Sequence, residues 1–257
     1  MNKYLNNINK NNMPHSILII GERGSGKHKL YNELCELNDF KFTQDITDNI
    51  NKEFLNSEDI LNPVDPIMVC ADLTKLTVRQ QNMLLKLFEE PNNLLYICLF
   101  AEDESCVLNT IKTRSYIISL EKYNRSVLEP LIDSDNKNII LEICSTPGQI
   151  EMANHTDISG LYTMCLNMVK KMDIANFQNA LSISNKINFT DEYDKYDLYL
   201  FIKMLSYVIV NEFVETQYKE LIYAYLELKE LNKKIWSVQN KKQQLEHFLT
   251  KYWRIFN

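Results

Sequence analysis

Between Ser16 and Leu30 the chain reads SILIIGERGSGKHKL. Ile17 to Ile20 is a short continuous apolar run, suited to a parallel strand buried on both faces, and a glycine-rich turn and a helix start follow it. Gly21, Glu22, Arg23, Gly24, Ser25, Gly26 and Lys27 satisfy the spacing G-x-x-x-x-G-K. Backbone N–H groups of such a turn, together with the helix N-terminus, make a concave positive cradle for phosphate oxygens, and Lys27 adds a full charge. The whole chain has 5 glycines in 257 residues, and three of them are in this turn. The next position, where a Ser or Thr hydroxyl would hold magnesium, is His28.

Three further apolar runs resemble the first: Ile67 to Ala71, Leu95 to Phe100 and Tyr116 to Leu120. Between the second and third runs of the set lies TVRQQNMLLKLFEEPN, where Thr77 can cap a helix whose apolar face includes Leu84, Leu85 and Phe88, and Pro91 marks its end. Strands alternating with helices predict a parallel α/β sheet. After Leu120 the composition turns helical. Residues 121–156 predict two or three short helices broken by STPGQ, and 157–257 predict longer amphipathic helices such as Tyr193 to Phe213 and Tyr218 to Ser237. The expected organisation is an α/β domain over 1–120, a helical lid over 121–156 and a larger helical domain over 157–257.

The net charge of −6 argues against a domain that binds nucleic acid alone through a dominant basic field. Cys35, Cys70, Cys98, Cys106, Cys144 and Cys165 form no C-x-x-C pair and have no His at ligand spacing, which suits free thiols in a reducing compartment. The first residues, MNKYLNNINKNN, lack an apolar export segment, and no apolar run is long enough for a membrane span. The expected location is the cytoplasm, with no membrane partner.

Gln81-Asn82, Leu84-Leu85-Lys86 and Glu89-Glu90-Pro91 fall in one helix, and Thr110-Ile111-Lys112-Thr113-Arg114-Ser115 follows. With the loop before them, these motifs resemble the clamp-loader group of AAA+ proteins, and particularly the delta-prime type of subunit of bacterial DNA polymerase III. The family's helix runs Q-N-A-L-L-K-x-L-E-E-P and its later motif T-I-x-S-R-C. TPGQ near residue 148 and NKKQQLEHFL near residue 245 extend the likeness weakly along the chain. The resemblance implies a P-loop AAA+ parallel sheet, a small helical lid and an all-α collar that joins a hetero-oligomeric ring. It also implies partners: other clamp-loader subunits, a sliding clamp and, through the assembled complex, primer-template DNA. In that family the arginine of T-I-x-S-R-C enters the ATP site of a neighbouring subunit, and Arg114 holds the matching position. Tyr196, Tyr199 and Tyr207, with Tyr193 and Phe201, fit helix packing better than base stacking, and the resemblance makes this aromatic stripe a candidate for the collar contact.

The same resemblance marks losses. Hydrolysis of this kind needs a hydroxyl and an aspartate for magnesium and a glutamate to orient water. Where the family reads D-E-A-D-K-L, this chain reads Ala71-Asp72-Leu73-Thr74-Lys75-Leu76. Without a gap, Ala71 takes the metal aspartate's place and Asp72 the glutamate's. With one deletion, Asp72 becomes the aspartate of a degenerate Walker B motif and Leu73 replaces the glutamate, the preferred alignment because Asp72 then ends a strand. His28 removes the hydroxyl either way, and Ser145-Thr146-Pro147-Gly148 lacks the lid arginine of motor subunits. ATP or ADP binding through Lys27 with little or no hydrolysis is expected. No zinc is expected, because residues 31–66 contain only Cys35 where the family usually inserts a four-cysteine module. The compact insert and AT-rich coding bias suit a phage or prophage version as well as a bacterial one. Two other readings compete: an active motor ATPase of a clamp loader, and an AAA+ adaptor outside replication.

Overall fold

The computed structural model describes the chain apart from residues 1, 2, 6, 7, 9–11, 41, 52–54, 56, 58, 59, 61, 62, 90–92, 171–176, 190–195, 239 and 257. It divides into two compact units, Met1–Lys122 and Tyr123–Asn257.

The first unit is built on five parallel strands: β1 (Ser16–Ile20), β2 (Phe42–Asp45), β3 (Ile67–Asp72), β4 (Leu95–Ala101) and β5 (Tyr116–Ser119). Their order across the sheet is β2-β3-β4-β1-β5. All four apolar runs read from the sequence are strands. β2 was not foreseen, because it is an edge strand whose four residues are all exposed and show no apolar run. Alternation along β1 explains why it is apolar throughout. Ile17 and Ile19 pack with Leu30 and Leu34 of helix α1 (Lys27–Leu37), while Leu18 and Ile20 pack with Leu84 and Leu87 of α2 (Val78–Glu89) on the other face.

Thr77 and Gln80 start α2 with a capping box. The Gln80 side-chain carbonyl accepts from the Thr77 N–H at 3.0 Å, and the Thr77 hydroxyl accepts from the Gln80 N–H at 3.4 Å. Leu84 and Leu87 are the buried apolar residues of this helix, with Leu85 and Phe88 half-buried beside them. Glu90 and Pro91 lie outside the described residues. A single turn, α3 (Asn109–Lys112), leads into β5.

The second unit is helical: α4 (Arg125–Leu128), α5 (Lys137–Ile143), α6 (Pro147–Asn154), α7 (Ile158–Val169), α8 (Phe177–Ser182), α9 (Leu198–Thr216), α10 (Glu220–Lys234) and α11 (Lys241–Phe256), with a two-residue strand pair β6 (Ile187–Asn188) and β7 (Tyr196–Asp197). Both helical segments expected from the sequence contribute to one buried cluster, which runs from Leu128 to Phe256. The helix expected from Tyr193 begins instead at Leu198. Asp197 is its N-cap, its carboxylate accepting from the N–H groups of Tyr199 at 2.8 Å and Leu200 at 3.1 Å; Tyr193 is outside the described residues.

STPGQ opens α6. Thr146 caps it, Pro147 takes the first turn where a missing N–H costs nothing, and Gln149 turns fully inward. The Gln149 amide accepts from the Ser145 N–H at 2.8 Å and donates to the Tyr199 hydroxyl at 2.8 Å. Tyr199 and Phe201 are therefore core residues, whereas Tyr196 and Tyr207 are half-buried and Tyr193 lies outside the described residues. All six cysteines are free thiols, five of them buried. Among the described residues no helix is long and apolar enough to cross a membrane.

Replacing Gln149 with Leu keeps the volume but removes the hydrogen bonds of a buried amide, so a stability loss of about 1–3 kcal/mol is expected in denaturant titration. Tyr199→Phe, which removes one hydroxyl, should cost less; an equal or larger loss would contradict this account.

Candidate functional site: the loop at one end of the sheet and the arginine at the other

The loop leaves β1 through Gly21, whose N–H donates to the Ala101 carbonyl at 3.0 Å and so continues the pairing with β4 by one step. A turn follows, closed by the Ser25 N–H on the Glu22 carbonyl at 3.1 Å. Gly24 at φ 75° and Gly26 at φ 93° are both left-handed, a conformation that a side chain would strain. Gly26 is also the residue before α1, and no side chain caps that helix. The first N–H groups of α1 thus have no intrahelical acceptor, the arrangement that receives anions.

Lys27 is buried. Its ammonium donates to the carbonyl of Gly21 and, at 3.1 Å, to that of Glu22. Burial pushes its pKa down, while the carboxylates of Glu102 and Asp72 oppose that shift and Arg23 adds to it. Glu22 and Arg23 are half-buried, Ser25 buried. The lysine ties its ammonium to the carbonyls of its own loop beside the cradle.

His28 is exposed, and its ring lies against Phe100 of β4 with centroids 4.6 Å apart. Asp72 ends β3, on the face toward α1 that Met68 and Cys70 share. Its carboxylate caps the next turn by accepting from the Thr74 N–H at 3.0 Å, and Lys75 is 3.9 Å from its other oxygen. Ala71 is fully buried on the opposite face. Among the described residues no group of three His, Cys, Asp or Glu side chains could hold a metal ion.

Glu102 was not foreseen as a site residue. It directly follows β4, next to the strand that carries the loop, and its N–H donates to the Thr74 hydroxyl at 3.1 Å. In the sequence Glu102 closes an apolar run as Asp72 does, but only the strand order gives that position meaning.

Arg114 is at the other end. It precedes β5, which runs parallel to β1 with Tyr116 opposite Ile17, so the length of β1 separates it from Gly21, about 16 Å at about 3.3 Å per residue. Its guanidinium is exposed and donates to the Thr110 carbonyl at 3.0 Å. The structure thus gathers residues 21–28, Asp72 and Glu102 at one end of the sheet and leaves Arg114 out. Ser145 to Gly148 belong to the second unit, where they start α6.

The segment that presents Arg114 is anchored by Gln81, a buried residue of the Q-N motif. Its side-chain amine donates to the carbonyls of Leu73 at 3.3 Å and Cys106 at 2.8 Å, and its side-chain oxygen accepts from the Leu108 N–H at 3.2 Å. One amide ties α2 to the turn after β3 and to the loop that starts α3.

Residues 43–124 match the family described as DNA polymerase III, delta subunit. That span contains Asp72, Gln81, Glu102 and Arg114. No curated protein sequence matches the chain. Among solved structures, a DNA polymerase III gamma subunit-related protein from Thermotoga maritima is 19% identical, with 94% of this chain and 95% of that one covered and a TM-score of 0.46. The Thermotoga maritima RuvB Holliday junction branch migration motor is 12% identical, with 78% and 68% covered and a TM-score of 0.43. Both likenesses are too weak to bear on function.

Gln81→Ala removes the bonds to the Cys106 carbonyl and the Leu108 N–H, leaving the Leu73 carbonyl its Leu76 partner, and should cost about 2 kcal/mol or more in stability. Arg114→Ala should stay within about 0.5 kcal/mol of wild type, as an exposed side chain would. Urea unfolding of the two variants checks both, and a reversed order would refute the assignment of anchor and presented group.

Proposed function

We propose that this chain, a clamp-loader-group AAA+ subunit by its match over residues 43–124 to the DNA polymerase III delta-subunit family, acts as the delta-prime-like member of a sliding-clamp loader in DNA replication. It is mostly structural, donates Arg114 to the ATP site of a neighbouring subunit, and does not hydrolyse ATP itself. Residues 121–156 serve as the lid and 157–257 as the collar. Its partners are the other loader subunits in a hetero-oligomeric ring, the sliding clamp, and primer-template DNA through the assembled complex.

The observation that carries this reading is the placement of Arg114. An exposed guanidinium at the end of the sheet remote from its own loop cannot reach a phosphate bound there, yet it is free to enter the site of a neighbour. There a planar, permanently charged fork would stabilise the charge that develops on the transferred phosphoryl group. The loop supports the second half of the reading. It keeps its cradle and Lys27, while His28 replaces the magnesium hydroxyl and the Asp72 carboxylate is engaged by Thr74 and Lys75. The apolar side chains that α9 and α10 leave exposed, Val210, Val214, Ile222, Tyr223 and Leu226, are the surface for subunit contacts.

In a reconstituted loader, Arg114→Ala should leave assembly intact, lower clamp- and DNA-stimulated ATPase in part, and slow clamp loading by about tenfold or more, given the 10³ to 10⁵ that such arginines supply in GTPases. Lysine should rescue poorly, because a point charge on a flexible stem does not reproduce the fork. Equal loading rates at equal assembly would reject the arginine's role. The pure chain should show no ATP turnover above background; magnesium-dependent hydrolysis abolished by Lys27→Ala would reject the inactive reading. Separately, the pair Val214→Glu and Tyr223→Glu should reduce incorporation into the ring in size-exclusion analysis without unfolding the chain.

A further inference from the structure

We propose that the loop from Gly21 to Lys27 is a magnesium-independent site that accepts a nucleoside diphosphate and disfavours the triphosphate, an inference that rests on the reading above that the loop still binds nucleotide. Two features favour phosphate. The left-handed Gly24 and Gly26 and the uncapped start of α1 leave backbone donors facing the cradle. Lys27 is close by, with Arg23 near enough to act on its charge. Its ammonium rests on the carbonyls of Gly21 and Glu22, partners that the more strongly charged oxygens of a bound diphosphate can replace.

What lies past the lysine is negative. In loops of this spacing the lysine reaches the second and third phosphates. Here the Gly21 N–H on the Ala101 carbonyl puts Glu102 level with the loop's root, and Asp72 ends the strand next to β4. Both carboxylates act on the Lys27 ammonium, holding up a pKa that burial lowers. A third phosphate would add its charge beside two carboxylates. Magnesium ordinarily neutralises such crowding, but His28 presents no hydroxyl, its ring is packed on Phe100, and Asp72 already caps Thr74. A diphosphate ends at the lysine and avoids the conflict.

The test is a titration of the full chain with a fluorescent ADP analogue, displaced by unlabelled ADP or ATP, in millimolar magnesium or in excess EDTA. ADP should bind with the same affinity in both buffers to within about twofold, and ATP should bind about tenfold more weakly than ADP in EDTA. Glu102→Gln, which keeps the shape and the backbone bond to Thr74, should shrink that ADP-to-ATP difference by about fivefold, because it removes one like charge. The inference is overturned if ATP binds as tightly as ADP in EDTA, or if ADP weakens about tenfold when magnesium is removed. Either of those results, with binding still lost in Lys27→Met, leaves the nucleotide reading standing. Absence of binding by ADP, ATP and inorganic phosphate in both buffers would overturn the two together.

Discussion

Every strand of the first unit runs the same way, and that polarity governs what the sheet can do. In a parallel sheet all strand ends of one kind lie along one rim, so the residues that follow β1, β3 and β4 meet whatever their separation in sequence. Gly21, Asp72 and Glu102 are brought together in this way. The same polarity carries the residue preceding β5 to the opposite rim. A single chain therefore has a phosphate cradle at one end and a presented guanidinium at the other. That separation keeps Arg114 away from its own loop and leaves its exposed guanidinium at the opposite rim.

The strands of that sheet were legible because burial on both faces demands continuous apolar runs, and four such runs stand out in a polar chain. β2 was not legible, since an exposed edge strand has no core to face and Phe42 to Asp45 carry no pattern. Capping was partly legible. Thr77 was read correctly, whereas Asp197, which begins α9 several residues later than the aromatic spacing suggested, was not. The aromatic stripe was read imperfectly for a related reason, since Tyr199 and Phe201 are core residues. α9 is buried on most of its first turns, from Leu198 through Ile202, so periodicity alone could not distinguish side chains that form the core from side chains left outside.

The site divides in the same manner. The loop was read from its spacing and Arg114 from the resemblance of Thr110 to Ser115 to a family motif, both of which depend on a few adjacent residues. Glu102 was not, since its importance comes from strand order. β4 lies between β3 and β1, which nothing in the local sequence around Glu102 states. Nor could the sequence reveal that the Asp72 carboxylate is already engaged. That depends on a turn in which Thr74 donates its N–H to Asp72 while its hydroxyl receives the N–H of Glu102. Thr74 thus joins the two acidic residues at the rim.

Gln81 shows why a motif can be specific without being chemical. Its amide is the right length to reach three backbone groups from inside α2, and an isolated helix would gain nothing from it. Buried, it turns α2 into a brace between the turn that follows Asp72 and the loop that leads to Arg114. An unsatisfied amide or carbonyl in that position costs more than the satisfied network gains, so the geometry is over-determined. The brace fixes the start of the α3 turn, and the Arg114 N–H then bonds to the Ile111 carbonyl within the same turn. The backbone of Arg114 is thereby tied to the braced turn, and its side chain extends from that base. For the role proposed for Arg114, the position of that base matters more than any interaction the guanidinium makes within its own chain. The polar residues of the helix and the later arginine are parts of one device, with the amide holding the rim from which the cation is offered.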